Sequence, residues 1–175
     1  YTMNLTYSIT YNLNGGTATN PTTYNINTET FTLNNPTRTG YTFTGWTGSN
    51  GTTASKSVSI TKGTTGNKSY TANWTVTNYT VTYNLNGGTA TNPTSYNINS
   101  AAFTLNNPTR TGYTFTGWTG SNGTTASKSV SIAKGSTGNK TYTANWTPVS
   151  YTITYNLNGG SASNKTSYTI ETATF

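Results

Sequence analysis

Cysteine, histidine and aspartate are all missing from this chain, and its only acidic residues are Glu29 and Glu171. Without cysteine there is no disulfide, no thiolate metal site and no thiol nucleophile. Without histidine or aspartate, most general-base, metal-ligand and triad chemistry lacks its parts. The sequence therefore predicts no catalytic residue, no metal and no cofactor, and the chain reads as non-enzymatic. Charged residues make up 6% of it, where an average soluble domain carries about 25%. It has no signal peptide and no apolar run long enough to span a bilayer as a helix, so membrane insertion is not expected. It opens at Tyr1 and stops at Phe175 inside a strand-like pattern, which reads as a piece of something longer.

Threonine, asparagine, serine and glycine fill the space that charge leaves. A composition this polar is also that of disordered chains. Against disorder stand an aromatic content of 13% and apolar residues that alternate. The threonine and tyrosine load favours strands over helices. The net charge of +7 is spread thinly: Lys56, Lys62 and Lys68 stand six apart, and Lys128, Lys134 and Lys140 repeat the pattern. A nucleic-acid binder gathers its basic residues into runs or onto one face, so no nucleic acid is expected. The lysines read as solubility and edge protection on strands, with attraction to an anionic host or cell-wall polymer as their second use.

The chain is built of repeats. Tyr7, Tyr79 and Tyr151 each open a phrase that ends in Tyr-Asn-Leu-Asn-Gly-Gly, at a constant spacing of 72 residues. Residues 7–78 and 79–150 differ at 12 of 72 positions. The organisation read from this is residues 1–6 as the end of a preceding repeat or a linker, 7–78 as the first repeat, 79–150 as the second and 151–175 as a partial third.

In the second repeat, Tyr79, Val81, Tyr83 and Leu85 alternate with polar residues, the pattern of a half-buried strand. Asn-Gly-Gly then predicts a tight turn, with Gly15, Gly16, Gly87, Gly88, Gly159 and Gly160 as its glycines in the three copies. Tyr96 and Ile98 predict a second strand, antiparallel to the first, and Val130 with Ile132 a later short one. A short helix is tolerable only near Ser100–Leu105. The centre of each repeat is Gly-Tyr-Thr-Phe-Thr-Gly-Trp, at Gly40–Trp46 and Gly112–Trp118. Tyr113 and Phe115 share one face of a strand, and Gly117 permits a bend that turns Trp118 back to the same interior. The predicted core is Tyr41, Phe43, Trp46 and Trp74 in the first repeat, and Tyr113, Phe115, Trp118 and Trp146 in the second. Stacked neighbours add to the marginal stability of so small a unit. The short linkers Val76–Asn78 and Pro148–Ser150 suit a semi-rigid rod.

In order, these phrases resemble the Listeria–Bacteroides repeat, also called the internalin B-repeat. Both complete units match from start to end, on Asn-Gly-Gly, Pro-Thr-Arg-Thr-Gly-Tyr-Thr-Phe-Thr-Gly-Trp and Tyr-Thr-Ala-Asn-Trp. The resemblance implies a fold that is mainly β, in tandem small β-grasp-like modules with little or no helix. It implies a secreted or wall-attached bacterial surface protein, and it brings no catalytic residues with it.

Sharper readings of single features are weaker. Aromatic strands also stack on sugars, but the inward alternation favours packing; Tyr24 and Tyr96 are the aromatics whose faces the pattern leaves undecided. A Lys–Asn isopeptide link needs an acid in register, and Glu29 becomes Ala101 in the second repeat. Asn-x-Ser/Thr sequons are frequent, as chance supplies in such a composition. The expectation is an extracellular stalk or filament of a bacterial adhesin, at the cell surface or wall. Its partners are neighbouring repeats or identical chains joined head to tail through residues 151–175. The alternative is an adhesive module for glycans or anionic polymers.

Overall fold

The computed structural model describes residues 3–175, so Tyr1 and Thr2 of the expected first segment lie outside the described residues. The chain divides into two compact units between Thr77 and Asn78. Each is all strand, and no helix occurs among the described residues. The fold is mainly β, in tandem modules of one design.

In the first unit seven strands follow in order. They are β1 (Tyr7–Asn12), β2 (Thr23–Tyr24), β3 (Phe31–Thr32), β4 (Tyr41–Gly48), β5 (Gly51–Ser55), β6 (Ser59–Ile60) and β7 (Lys68–Val76). Five form a mixed sheet in the order β2-β1-β7-β4-β5, and β3 with β6 forms a separate ribbon. The first and last strands, β1 and β7, lie side by side and parallel, with Ile9 opposite Lys68 and Asn12 opposite Thr71. All other pairings are antiparallel.

The second unit repeats this with β8 (Tyr79–Asn84), β9 (Ser95–Tyr96), β10 (Phe103–Thr104), β11 (Tyr113–Gly120), β12 (Gly123–Ser127), β13 (Ser131–Ile132) and β14 (Lys140–Pro148). The partial third copy supplies only β15 (Tyr151–Thr152) and β16 (Ser167–Tyr168), which pair with each other.

The core follows from a defect placed in β11, the strand second from the edge of its sheet. Phe115 pairs with Trp146, but Gly117 pairs with Asn145, so Thr116 is an extra residue on β11. Such a bulge resets the alternation, and Phe115 and Trp118, three apart, both turn inward. Their rings meet edge to face at 5.3 Å, and Trp118 is 0% exposed. Gly117 has φ +138, and a Cβ there would stand 2.6 Å from Ser127 N. No other residue type fits that backbone and that space. The first unit does the same with Phe43, Gly45 and Trp46. The indole N–H of Trp118 is not stranded, since it donates to Asn107 Oδ1 at 3.1 Å. Around it pack Val81, Leu105, Val130, Ile132 and Tyr142.

Three expectations need correction. No helix forms at Ser100–Leu105: Phe103 and Leu105 alternate as a strand does, and Phe103 pairs with Ile132 across the β10–β13 ribbon. Ile98 does not extend the second strand, because the chain turns after Tyr96, where Asn97 N donates to Ser100 Oγ. Tyr24 and Tyr96, the undecided aromatics, are 4% exposed and belong to the core. Each phenol donates to a carbonyl 42 residues on, Tyr24 to Gly66 and Tyr96 to Gly138.

Candidate binding groove

The Asn-Gly-Gly phrase builds a cradle for a tryptophan. Asn86 has φ +47 and Gly87 φ +85, a left-handed pair that reverses the chain tightly. Asn86 Nδ2 donates to Ala144 O at 2.9 Å, which ties the turn to β14. Gly88 has no positive φ and serves a different need. A Cβ on it would stand 2.4 Å from Trp146 Cζ2, so the indole lies flush against bare backbone. Trp146 then donates its Nε1–H to Leu85 O at 3.0 Å. Gly15, Gly16 and Trp74 repeat these contacts in the first unit, where Trp74 donates to Leu13 O at 3.1 Å. In the third copy Gly159 keeps φ +86, but the nearest neighbour of Gly160 is only its own turn, Leu157 O at 3.1 Å.

A second loop meets this cradle. Thr89 and Thr109 exchange backbone hydrogen bonds of 2.9 and 3.0 Å, which brings the segment Pro108–Tyr113 beside the Asn-Gly-Gly turn. Tyr113 N donates to Arg110 O, closing a four-residue turn. The turn folds Arg110 back over its own aromatic neighbour, with the guanidinium carbon 3.6 Å from the Tyr113 ring centre. Gly87 leaves the room it needs, for a Cβ there would approach Arg110 Nε to 3.0 Å.

Between the two loops lies an open groove of about 460 Å³. It is lined by the apolar Phe115 and Trp146, by Arg110 and Tyr113, and by the threonines 89, 109 and 111. No carboxylate pairs with Arg110; the one ion pair among the described residues joins Lys62 to Glu29 at 2.5 Å.

The predicted core residues separate accordingly. Trp46, Trp118 and Phe115 are buried, while Phe43, Trp74 and Trp146 are half-buried at the core's edge. Tyr41 and Tyr113 fall outside both core clusters. The physical reason is position along the strand: Tyr113 pairs with Pro148 at the very end of the sheet, beyond the interior, and arginine rather than apolar side chains covers its ring. Sequence reasoning missed Arg38 and Arg110. The signal was there, because Arg-x-Gly-Tyr around a turn places a guanidinium over the ring three residues on.

Titration behaviour follows burial. The Tyr83 phenol is pushed up to about 12, first by burial and then by the nearby Tyr142, and Tyr11 likewise by burial and Tyr70. Tyr113 is raised for another reason, chiefly the hydrogen bond that it gives Glu171 Oε1 at 2.8 Å, while the Arg110 charge works the other way. This arrangement offers a fixed guanidinium, hydroxyls and apolar side chains around one groove.

A family model described as the Listeria-Bacteroides repeat domain matches residues 7–75 and again residues 79–145. No curated protein and no solved structure matches the chain.

Proposed function

Because the chain belongs to the Listeria–Bacteroides repeat family, we propose that it is a non-enzymatic repeat protein of a bacterial surface. In this reading its modules form a stalk or filament that holds another part of an adhesin away from the cell. The family's usual setting in extracellular surface proteins supports the location.

The observation that carries this reading is a set of surface contacts between the second repeat and the opening of the third copy, where Ile170 remains 51% exposed. Ile170 lies against Gly112, with its Cδ1 2.7 Å from where a Cβ would stand. Tyr113 donates its hydroxyl to Glu171. The linker is tied down as well, since Val149 N donates to Gly112 O at 2.9 Å. A repeat whose corner holds the opening turn of its successor restricts the swing between them. Nearest-neighbour contacts of this kind are what a one-dimensional array needs for stiffness. Small-angle X-ray scattering of chains with increasing repeat number tests the reading. Under it the maximum dimension grows by a constant step per repeat. Growth as for a flexible coil, with the square root of repeat number, would overturn it.

Head-to-tail association of chains is favoured by a separate observation. The third copy exposes Tyr151, Tyr155 and Leu157. Their counterparts Tyr79, Tyr83 and Leu85 pack on the core of the second unit. Static light scattering over a range of concentrations checks this. Elongated species that grow with concentration support donation of residues 151–175 to another chain, and a constant monomer mass removes it.

A further inference from the structure

We propose that the groove beside Arg110 binds an acidic polysaccharide, one hexuronate residue to a groove, and that the first unit carries a second groove of the same kind. The guanidinium is the reason for the charge. It is fixed over the Tyr113 ring and makes no ion pair among the described residues. A planar fork of N–H donors held in this way matches a carboxylate in two-point fashion. The walls are the reason for the sugar. A pyranose has an apolar face and a rim of hydroxyls. Here the half-buried Trp146, backed by the buried Phe115, offers apolar surface while Thr89, Thr109 and Thr111 offer hydroxyls. The groove's volume of about 460 Å³ is in the range of small-ligand sites.

Repetition is the reason for a polymer. Gly15, Thr17, Thr37, Arg38, Tyr41 and Trp74 stand in the first unit where Gly87, Thr89, Thr109, Arg110, Tyr113 and Trp146 stand in the second. In the first unit too the arginine lies 3.6 Å over its tyrosine. Residues 7–150 thus hold two such arginine–tyrosine pairs. Two weak sites on one chain favour a ligand long enough to reach both, through effective concentration. One group opposes binding at the second groove. Glu171, bonded to the Tyr113 hydroxyl, sets a carboxylate near that rim. The inference does not rest on the stalk reading, and either stands without the other.

Calorimetric titration of the whole chain with an oligogalacturonate tests it. The expected result is two sites per chain and an affinity that falls as salt rises. The R38Q/R110Q variant should bind about tenfold more weakly or worse, the loss of one charged two-point contact per site. The K134Q variant, at an exposed lysine that does not line the groove, should stay within about twofold of the parent. Glu171→Gln, which keeps a hydrogen-bond acceptor and removes the charge, should tighten the second site. If the double glutamine variant melts early, R38K/R110K replaces it; that pair keeps the charge, loses the fork and should still bind more weakly. No binding at about 1 mM oligomer would overturn the proposal. So would equal binding of the methyl-esterified oligomer, or equal loss in the lysine variant. Tighter binding of inorganic polyphosphate through the same arginines would reassign the grooves to phosphate and overturn the uronate.

Discussion

Asn145 spans the gap that the bulge at Gly117 opens. Its Nδ2 lies 3.0 Å from Gly117 O, 3.0 Å from Thr119 Oγ1 and 3.2 Å from Thr143 O. Asn73 holds Gly45 in the same way in the first unit. One amide group thus satisfies the backbone that the extra residue puts out of register. Asn145→Ala leaves the Gly117 carbonyl without its partner in a half-buried place. The expected cost is about 1–3 kcal/mol. The check is a urea melt in which the second unit unfolds earlier than the unaltered first, with Asn73→Ala giving the converse.

Gly88→Ala should cost about 1–3 kcal/mol by overpacking, because the added methyl meets the Trp146 indole at 2.4 Å. Gly160→Ala is the internal control. It sits in the same phrase, but no indole lies beside it, so it should leave the melting temperature of both units unchanged. Tryptophan fluorescence during thermal unfolding distinguishes the two.

The aromatic core makes the fold sensitive to alkali. Tyr11 and Tyr83 titrate near 12 in the folded chain against an ordinary value of 10.0. Burial raises Tyr24, Tyr70, Tyr96 and Tyr142 also. The folded state therefore holds these protons where the unfolded state releases them. The resulting stability is fully present below pH of about 10 and is lost as pH rises from there through about 12. Tyrosinate absorbance and circular dichroism followed together should show ionisation coinciding with loss of the sheet. A Tyr83→Phe variant should unfold at higher pH than the parent.

The third copy should be the first part of the chain to be cut. Tyr155 and Leu157 are exposed, and its only described pairing is the two-residue ribbon of β15 and β16. Limited chymotryptic digestion should release fragments from residues 151–175 while residues 7–148 persist. Ile170→Ser, which removes the contact on Gly112, should raise that rate severalfold, and mass spectrometry of the early products checks both outcomes.

Some of this fold was legible in the sequence, for local reasons. The spacing of Phe115, Gly117 and Trp118 declares a bend, and the structure supplies it as a bulge. Asn86-Gly87 declares a turn because both residues accept left-handed backbone. What was hidden depends on partners far along the chain. Nothing near Gly88 announces that Trp146 will lie on it, and nothing near Tyr96 announces the Gly138 carbonyl that lets a phenol turn inward. Two-residue strands such as β10 are equally mute, since only the facing Ile132 makes Phe103 a strand residue. The groove falls between these cases. Its arginine stacks on a tyrosine three residues away, a local event, but its walls come from three separated segments.

The parallel pairing of β1 with β7 has a mechanical consequence. Because the first and last strands of a unit run the same way side by side, a pull that separates the unit's ends drags them past each other along their length. The load falls on the bonds at Ile9–Lys68 through Asn12–Thr71 together, in shear, rather than opening them one at a time as a zipper would. β8 and β14 present the same clamp in the second unit. A chain tethered at one end and tugged at the other would meet its highest resistance there, before any aromatic ring left the core.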